Sequence, residues 1–259
     1  MVLQVTMAVT AGKRLSICSQ RTGSVIESMG IRLPLLEVFV LPFPAVDVWC
    51  ASLAVEPQTL SRGGRDMGKR ILASVLWQEI LMMRGGPYLD SAARERPVRV
   101  VPGVLGRPRL LLGDWEGPCI SFSYGHGIMW SALCAESFCC GIDTARAAEF
   151  DSGYPLDRAF HEEELRWAEL CMGADRQESA AMLWSTKEAV VKALGCGFHR
   201  LDPLDLRIVL VESATNGLHS TARVCGRGHD TRQELIPVIS FRSRGAWTSV
   251  AIVSKESAL

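Results

Sequence analysis

The spacing of apolar residues along the chain follows two patterns, one typical of helices and the other of strands. Apolar residues three and four positions apart predict helices over 66–83, 162–172 and 178–194. Gly195 and Gly197 follow the last of these, where a helix C-terminus favours glycine. Alternation of β-branched and aromatic residues with other types predicts strands over 46–53, 98–101, 119–123, 129–141, 206–211, 220–224, 238–242 and 247–253.

The order of these elements indicates the fold class. Helices lie between strands that are joined mainly by short turns, such as the Gly-His-Gly turn at 125–127. This order favours an α+β protein over a doubly wound parallel sheet. Residues 1–36 have no clear periodicity, and the proline-rich stretch 34–44 is predicted to be a connector.

The composition is that of an ordinary globular protein. Of 259 residues, 48% are hydrophobic and 22% are charged, which excludes wholesale disorder. The 28 basic and 28 acidic residues leave no net charge, so we expect no binding to nucleic acid or to a membrane surface. The N-terminus does not resemble a signal peptide, and three prolines interrupt the apolar stretch 33–55. We therefore expect a cytoplasmic protein.

The nine cysteines bear on the redox environment. None forms a C-x-x-C pair, and no histidine lies at a zinc-ligand spacing from a cysteine pair. The adjacent Cys139 and Cys140 would point to opposite faces of a strand, which suits packing better than chelation. The pattern favours reduced, buried thiols over a disulfide framework.

Candidate chemistry lies with three acidic residues. Asp143 follows an apolar strand, where its carboxylate would project from the strand end, and Glu164 lies in a charged helix. Glu188 shares a helix face with Trp184 and Lys192, because each lies four residues from the next. Two interpretations stay open at this point: a solvated Glu–Lys pair on a helix surface, or a carboxylate that binds Mg²⁺ beside an ammonium that binds phosphate.

Three segments favour the second interpretation. Residues 141–143 (GID), 160–164 (FHEEE) and 184–197 (WSTKEAVVKALGCG) resemble successive motifs of the Sfp-type 4′-phosphopantetheinyl transferases in order and spacing. Those motifs are G-[IV]-D, F-x-x-x-E and W-x-x-K-E-[AS]-x-x-K-x-x-G-x-G. Upstream, residues 106–108 and 120–123 are similar to the family's G-[KR]-P and I-S-H-S segments. Residues 46–53 and 70–74 are weaker matches to its opening strand and basic helix, so the resemblance extends over 46–253.

The resemblance implies an activity and an architecture. The protein would transfer 4′-phosphopantetheine from coenzyme A to a serine of an apo acyl, peptidyl or aryl carrier protein of fatty-acid, polyketide or nonribosomal-peptide biosynthesis. Adenosine 3′,5′-bisphosphate would be released. After an extension and connector over 1–45, two similar half-domains, 46–141 and 142–259, would pack with pseudo-twofold symmetry. Coenzyme A and Mg²⁺ would lie between the half-domains of a monomer.

The resemblance also implies roles for individual residues. Asp143 and Glu188 would hold Mg²⁺, and Glu188, or a water molecule that it orients, would take the proton of the serine. Lys192 and Glu164 would be the further catalytic residues. The coenzyme A contacts would come from Arg70, Arg107, Ser121, His126, Lys187 and Lys192.

Two departures from the family pattern leave a second function open. Ala145 stands where the family usually has a second metal-binding glutamate, and Phe122 where it commonly has a histidine that contacts the 3′-phosphate of coenzyme A. Glu164 and His126 are the expected substitutes, whereas Glu149 is expected to lie too far along the chain. The alternative function is that of a non-catalytic relative that binds coenzyme A or a carrier protein.

Overall fold

The computed structural model describes residues 36–55, 62–83, 96–135, 137–151, 153–214, 217–225 and 235–258. The α-helices are α1 (Arg62–Met83), α2 (Glu162–Met172) and α3 (Arg176–Leu194). The strands are β1 (Leu36–Pro42), β2 (Asp47–Ala54), β3 (Val98–Pro102), β4 (Pro108–Leu112), β5 (Trp115–Glu116), β6 (Ile120–Gly125), β7 (Ile128–Cys134), β8 (Phe138–Ala145), β9 (Leu206–Ala214), β10 (Gly217–Val224), β11 (Ile236–Ser243) and β12 (Ala246–Ser254). Residues 1–35 of the predicted extension lie outside the described ranges. No helix in the described ranges is long and apolar enough to cross a membrane.

The first half of the chain forms an antiparallel sheet covered by one long helix. The strand order is β1-β2-β7-β6, and α1 packs across β2 and β7. Their shared core includes Trp49, Leu72, Leu76 and Met129. A small antiparallel sheet, β3-β4-β5, lies beside α1.

The second half repeats this combination of sheet and helix. Its strand order is β8-β12-β11-β10-β9, and α3 packs across β8 and β12. Helix α2 packs against α3 and β9, and the core between them includes Leu165, Met182, Val190 and Val238. The α+β class predicted from the sequence is thus confirmed.

The stretch predicted as a connector contains strand β1. Val38 and Leu41 are buried and pair with Ala51 and Val48 of β2. Proline does not prevent this strand, because Pro42 is its last residue and β1 lies at the edge of the sheet, where a missing N–H breaks no ladder hydrogen bond.

The single strand predicted over 129–141 is in fact two strands. Strand β7 ends at Cys134, and a turn follows in which Phe138 N donates to Ala135 O at 3.0 Å. Strand β8 then enters the second sheet. A single charged residue interrupts the apolar run here, which is a weak turn signal. The half-domain boundary predicted at 141/142 consequently falls inside β8.

Strand β8 is the edge of its sheet, and side chains join it to β6 of the other sheet; we call this contact the seam. Alternate side chains along β6, and the one just before it, face β8: Cys119 Sγ accepts from Cys140 N (3.4 Å), Ser121 Oγ accepts from Ile142 N (3.1 Å) and Ser123 Oγ donates to Asp143 Oδ1 (2.9 Å). They satisfy groups that an edge strand leaves unpaired. The seam therefore joins the two sheets without a continuous backbone ladder.

Helix α3 approaches β8 so closely that only glycine fits between them. A Cβ on Gly141 would overlap the carbonyl oxygen of Ala189 and would lie 2.6 Å from Ala193 N. This contact brings the last turns of α3 to the seam.

We expect Gly141→Ala to lower the free energy of unfolding by about 3 kcal/mol, because the added methyl group forces α3 away from β8. Urea denaturation followed by circular dichroism measures the change. Gly63→Ala is the matched control: nothing lies within 4 Å of a Cβ at that position, so stability should be kept or slightly increased. A Gly141→Ala variant as stable as the parent would contradict this packing.

Candidate active site at the seam between the two sheets

Asp143 lies near the end of β8, where it is buried at the seam. Its Oδ1 atom accepts hydrogen bonds from Lys192 Nζ (2.6 Å) and Ser123 Oγ (2.9 Å). Burial raises the pKa of Asp143 above its usual value, although the Lys192 charge and both hydrogen bonds oppose the shift. No described residue donates a hydrogen bond to its Oδ2 atom, so this oxygen remains for a ligand.

Lys192 lies in the last turn of α3 and reaches across the seam. Its Nζ atom donates to Asp143 Oδ1 (2.6 Å), Ile142 O (3.1 Å) and Phe122 O (3.4 Å). An ammonium group has three N–H donors, and each has a partner here. Lys192 therefore positions Asp143, and direct contact with a phosphate would require it to exchange one of these hydrogen bonds. Its side chain is 31% exposed, so its charge still acts on a ligand nearby.

Glu188 lies one helical turn before Lys192 on α3. Its carboxylate is partly buried and makes no hydrogen bond to any described residue. Burial and the negative charge of Asp143 raise the pKa of Glu188, and the charge of Lys192 opposes them. Glu188 thus has no hydrogen-bond partner among the described residues and lies close enough to Asp143 for their charges to interact. Trp184, another turn earlier, packs against Phe198 and the rest of an aromatic cluster in the core.

A 3₁₀ turn at Ala147–Phe150 brings Glu149 back toward Asp143. Glu149 Oε1 lies 2.7 Å from Nε2 of His126, which is in the turn between β6 and β7. Besides burial, the negative charge of Glu149 raises the pKa values of Asp143 and Tyr154. Glu149, which was expected to lie too far along the chain to replace the missing glutamate, is thus close enough to Asp143 for their charges to interact, and its Oε1 atom also accepts from Arg146 N (2.8 Å). His126, predicted to contact phosphate, is paired with this carboxylate.

Lys187 and Glu164 form a buried ion pair instead of facing a ligand. Their polar atoms bond to each other and to the backbone: Lys187 Nζ donates to Glu164 Oε2 (3.0 Å), Ala159 O (2.9 Å) and Pro203 O (2.9 Å), and Glu164 accepts from Ile208 N (2.7 Å) and His161 N (2.8 Å). Burial lowers the pKa of Lys187 even beside Glu164. The prediction that Lys187 contacts phosphate is therefore wrong, because its ammonium is used within the core. The prediction that Glu164 is catalytic, or substitutes for the missing metal-binding glutamate, is wrong for the same reason. Both residues tie α2 and α3 to the second sheet.

The side chains at three further positions of the family pattern make structural contacts, either in the core or across the seam. Ser121 was predicted to contact coenzyme A, but its side-chain oxygen accepts from Ile142 N within the seam. Phe122 packs against the core of the first sheet, and Ala145 is fully buried in the core of the second. Phe122 and Ala145, the two residues that differ from the family pattern, thus both lie in apolar surroundings.

The two arginines predicted to bind coenzyme A lie in different surroundings. Arg107 lines a cavity of about 400 Å³, and its NH2 atom donates to Ala193 O (3.3 Å) and Cys119 Sγ (3.4 Å). Arg107 is thus held at the C-terminal end of the helix that carries Glu188. Arg70 is exposed on α1.

The group of donors suits a hard divalent cation. The negative charge of Asp143 acts on Glu188 and that of Glu149 acts on Asp143, while the Lys192 ammonium acts on both Asp143 and Glu188. Carboxylate oxygens in a negative field are the ligands that Mg²⁺ prefers in proteins. A cation between Asp143 and Glu188 would also offset the repulsion that raises the pKa of Glu188.

Comparison with known proteins gives a family match within the second half of the chain. Residues 139–236 match the family model described as the 4′-phosphopantetheinyl transferase superfamily, which confirms the resemblance over this segment. This chain is also similar to the solved structure of the Chronobacterium ammoniagenes ACPS-CoA complex. The similarity covers 46% of this chain and 98% of that chain, with 14% sequence identity and a TM-score of 0.35. Comparison with curated proteins gave no match.

We expect the protein to be destabilised by Glu188 at neutral pH when no metal ion is present. The carboxyl pKa is raised in the folded chain, so above the ordinary value of 4.5 the folded chain binds more protons than the unfolded chain. This contribution to stability is therefore lost as the pH rises through the raised pKa. Glu188→Gln removes the buried negative charge, so this variant should be more stable than the parent at pH 7. The difference should disappear below about pH 4, where the parent carboxyl is protonated in both states.

Urea denaturation in a chelating buffer at both pH values measures this difference. Glu163→Gln, at an exposed position of α2, is the matched control and should show no such dependence. A Glu188→Gln variant less stable than the parent at pH 7 would show that the carboxylate has a stabilising partner.

Proposed function

We propose that the protein is an Sfp-type member of the 4′-phosphopantetheinyl transferase superfamily, whose family model matches residues 139–236. It transfers 4′-phosphopantetheine from coenzyme A to a serine hydroxyl of an apo acyl, peptidyl or aryl carrier protein. The second product is adenosine 3′,5′-bisphosphate, and the reaction depends on Mg²⁺.

The observation that carries this proposal is the arrangement of Asp143, Glu188 and Lys192 at the seam. Asp143 Oδ2 and the Glu188 carboxylate provide oxygen ligands for a divalent cation, and Lys192 and Ser123 hold Asp143 in place through its Oδ1 atom. Bound Mg²⁺ would neutralise the pyrophosphate of coenzyme A and the negative charge that develops on the leaving phosphate. The site thus supplies the charge neutralisation that phosphoryl transfer needs.

Glu188 is the residue best suited to accept the serine proton. In the reaction the serine oxygen forms a bond to the phosphorus of the phosphopantetheine phosphate, and the bond from this phosphorus to the oxygen of the adenosine 5′-phosphate breaks. The hydroxyl proton must leave at the same time. The Glu188 carboxylate makes no hydrogen bond to a described residue, so its oxygen atom that does not bind the cation is free to accept this proton, either directly or through a water molecule.

Lys192 acts in this proposal mainly as a positioning residue. It binds the Asp143 carboxylate and two backbone oxygens at once, so it fixes the end of β8 against β6. Its positive charge also lies where the pyrophosphate would approach. This assignment differs from a direct phosphate contact, because all three N–H donors already have partners.

The nucleotide of coenzyme A is proposed to bind near Arg107. Its guanidinium has five N–H donors, and the NH2 atom alone makes the two hydrogen bonds given above. Arg200 and Lys255 line the same cavity and add positive charge for the phosphates. Arg70 and His126 are proposed as outer contacts, with His126 in the place of the missing histidine at Phe122. All of these groups come from one chain, so we expect a monomer.

Intact-mass spectrometry of several apo carrier proteins, incubated with this protein, coenzyme A and Mg²⁺, tests the proposal. A gain of one phosphopantetheine group on at least one carrier is expected. Asp143→Asn and Glu188→Gln should each lower the rate by about 100-fold or more, because each removes a charge that acts on the transition state. Glu163→Gln, the control on α2, should keep the parental rate.

Transfer at the parental rate by both site variants would overturn the assignment of these residues. Absence of transfer to every carrier, with coenzyme A binding still measurable by calorimetry, would instead identify a non-catalytic relative. The apolar surroundings of Phe122 and Ala145 are the features that favour this second function.

A further inference from the structure

Three cysteines meet at the end of the seam opposite to the carboxylates. Cys119 precedes β6, Cys134 ends β7 and Cys140 lies in β8. Their Sγ atoms all lie within 4.8 Å of one another. Cys134 and Cys140 are buried, whereas Cys119 is partly exposed and lines the cavity that also contains Arg107.

The sulfur of Cys119 contacts two hydrogen-bond donors and one acceptor, since its thiol donates to Cys140 O (3.8 Å). Arg107 NH2 and Cys140 N both donate to its sulfur, each at 3.4 Å. Hydrogen bonds from the neighbouring thiols and the positive charge of Arg107 lower the pKa of Cys119, while hydrogen bonding to Cys119 and burial raise the pKa values of Cys134 and Cys140. The positively charged guanidinium of Arg107 beside Cys119 favours the thiolate form of this sulfur, and the thiolate is the form that binds metals.

We propose that Cys119, Cys134 and Cys140 form a three-thiolate site for Zn²⁺. Zinc–sulfur bonds of about 2.3 Å in a tetrahedral site separate two sulfurs by about 3.8 Å. The sulfurs, which lie within 4.8 Å of one another, need to approach by no more than about 1 Å. A water molecule from the cavity supplies the fourth ligand.

The positive charge of Arg107 offsets the net charge of the occupied site. Hydrated Zn²⁺ exchanges water for three sulfur ligands, and each thiol that binds it releases its proton to the buffer without any transfer of electrons. The zinc ion and three thiolates then carry a net charge of −1, which faces the guanidinium of Arg107. Soft thiolate ligands select Zn²⁺ over Mg²⁺, so the metal preference of this site is opposite to that of Asp143 and Glu188.

Sequence spacing did not indicate this site, because its ligands come from separate strands. Cys119 and Cys134 are adjacent in the chain to Ile120 and Leu133, which pair between β6 and β7. Cys140 lies in β8, after the turn that follows β7. Cys139, the adjacent cysteine, belongs to the core on the other face of β8, as its predicted orientation requires. Occupation by zinc would link the two sheets at a point about 10 Å along β8 from Asp143.

The test is titration of the reduced, metal-free full-length protein with Zn²⁺ against a fluorescent zinc indicator. We expect one zinc ion per chain, a rise in Tm on binding and, with Co²⁺ in its place, the absorption of a tetrahedral thiolate site. Cys119→Ser should abolish binding, and its partial exposure favours a folded variant. Circular dichroism verifies that fold. Cys225→Ser, at an exposed position outside the cluster, is the matched control and should bind as the parent does.

Three results would overturn the proposal. One is the absence of zinc binding by the reduced parent, and another is retention of the site in a folded Cys119→Ser variant. The third is a disulfide between two of these cysteines in the purified protein, identified by peptide mapping, because it removes two of the three ligands. Glu188→Gln should bind zinc as the parent does, so the result is independent of the proposed transferase activity.

Discussion

The ammonium group of Lys192 holds together the part of the structure on which the proposed function depends. It comes from α3 and binds a carboxylate and a carbonyl oxygen of β8 together with a carbonyl oxygen of β6. One side chain thus connects the long helix of the second half with both sheets. A partly buried charge is stable only when it is paired and hydrogen-bonded, and here every N–H donor is. The same bonds hold Asp143 beside Glu188 despite the repulsion between the two carboxylates.

Two adjacent residues of α3, Lys187 and Glu188, have different roles because their side chains leave the helix in different directions. Lys187 points into the core, where Glu164 and two carbonyl oxygens surround it completely, and it links α2 to α3. The next residue, Glu188, points about 100° away and faces the seam. A motif that contains adjacent Lys and Glu residues therefore contributes one residue to the core and the other to the proposed metal site.

Local patterns in the sequence predicted most of the helices and strands, and the motifs located Asp143, Glu188 and Lys192. The prediction was wrong where long-range contacts decide the structure. Strand β1 forms within a proline-rich stretch because β2 offers it a partner, and the turn between β7 and β8 separates two sheets within one apolar run. The buried role of Glu164 and the return of Glu149 toward Asp143 depend on tertiary contacts that no spacing contains. The three clustered cysteines are a further example, because neighbouring strands bring them together.

The central claim is that Asp143, held by Lys192, and Glu188 form a single site for Mg²⁺ and the pyrophosphate of coenzyme A. The most direct test is calorimetric titration of coenzyme A into the parent and the Asp143→Asn variant, each with and without Mg²⁺. The account predicts that Mg²⁺ tightens coenzyme A binding to the parent by about tenfold or more, or about 1.4 kcal/mol, and has little effect on the variant. Equal tightening by Mg²⁺ in both proteins would contradict it.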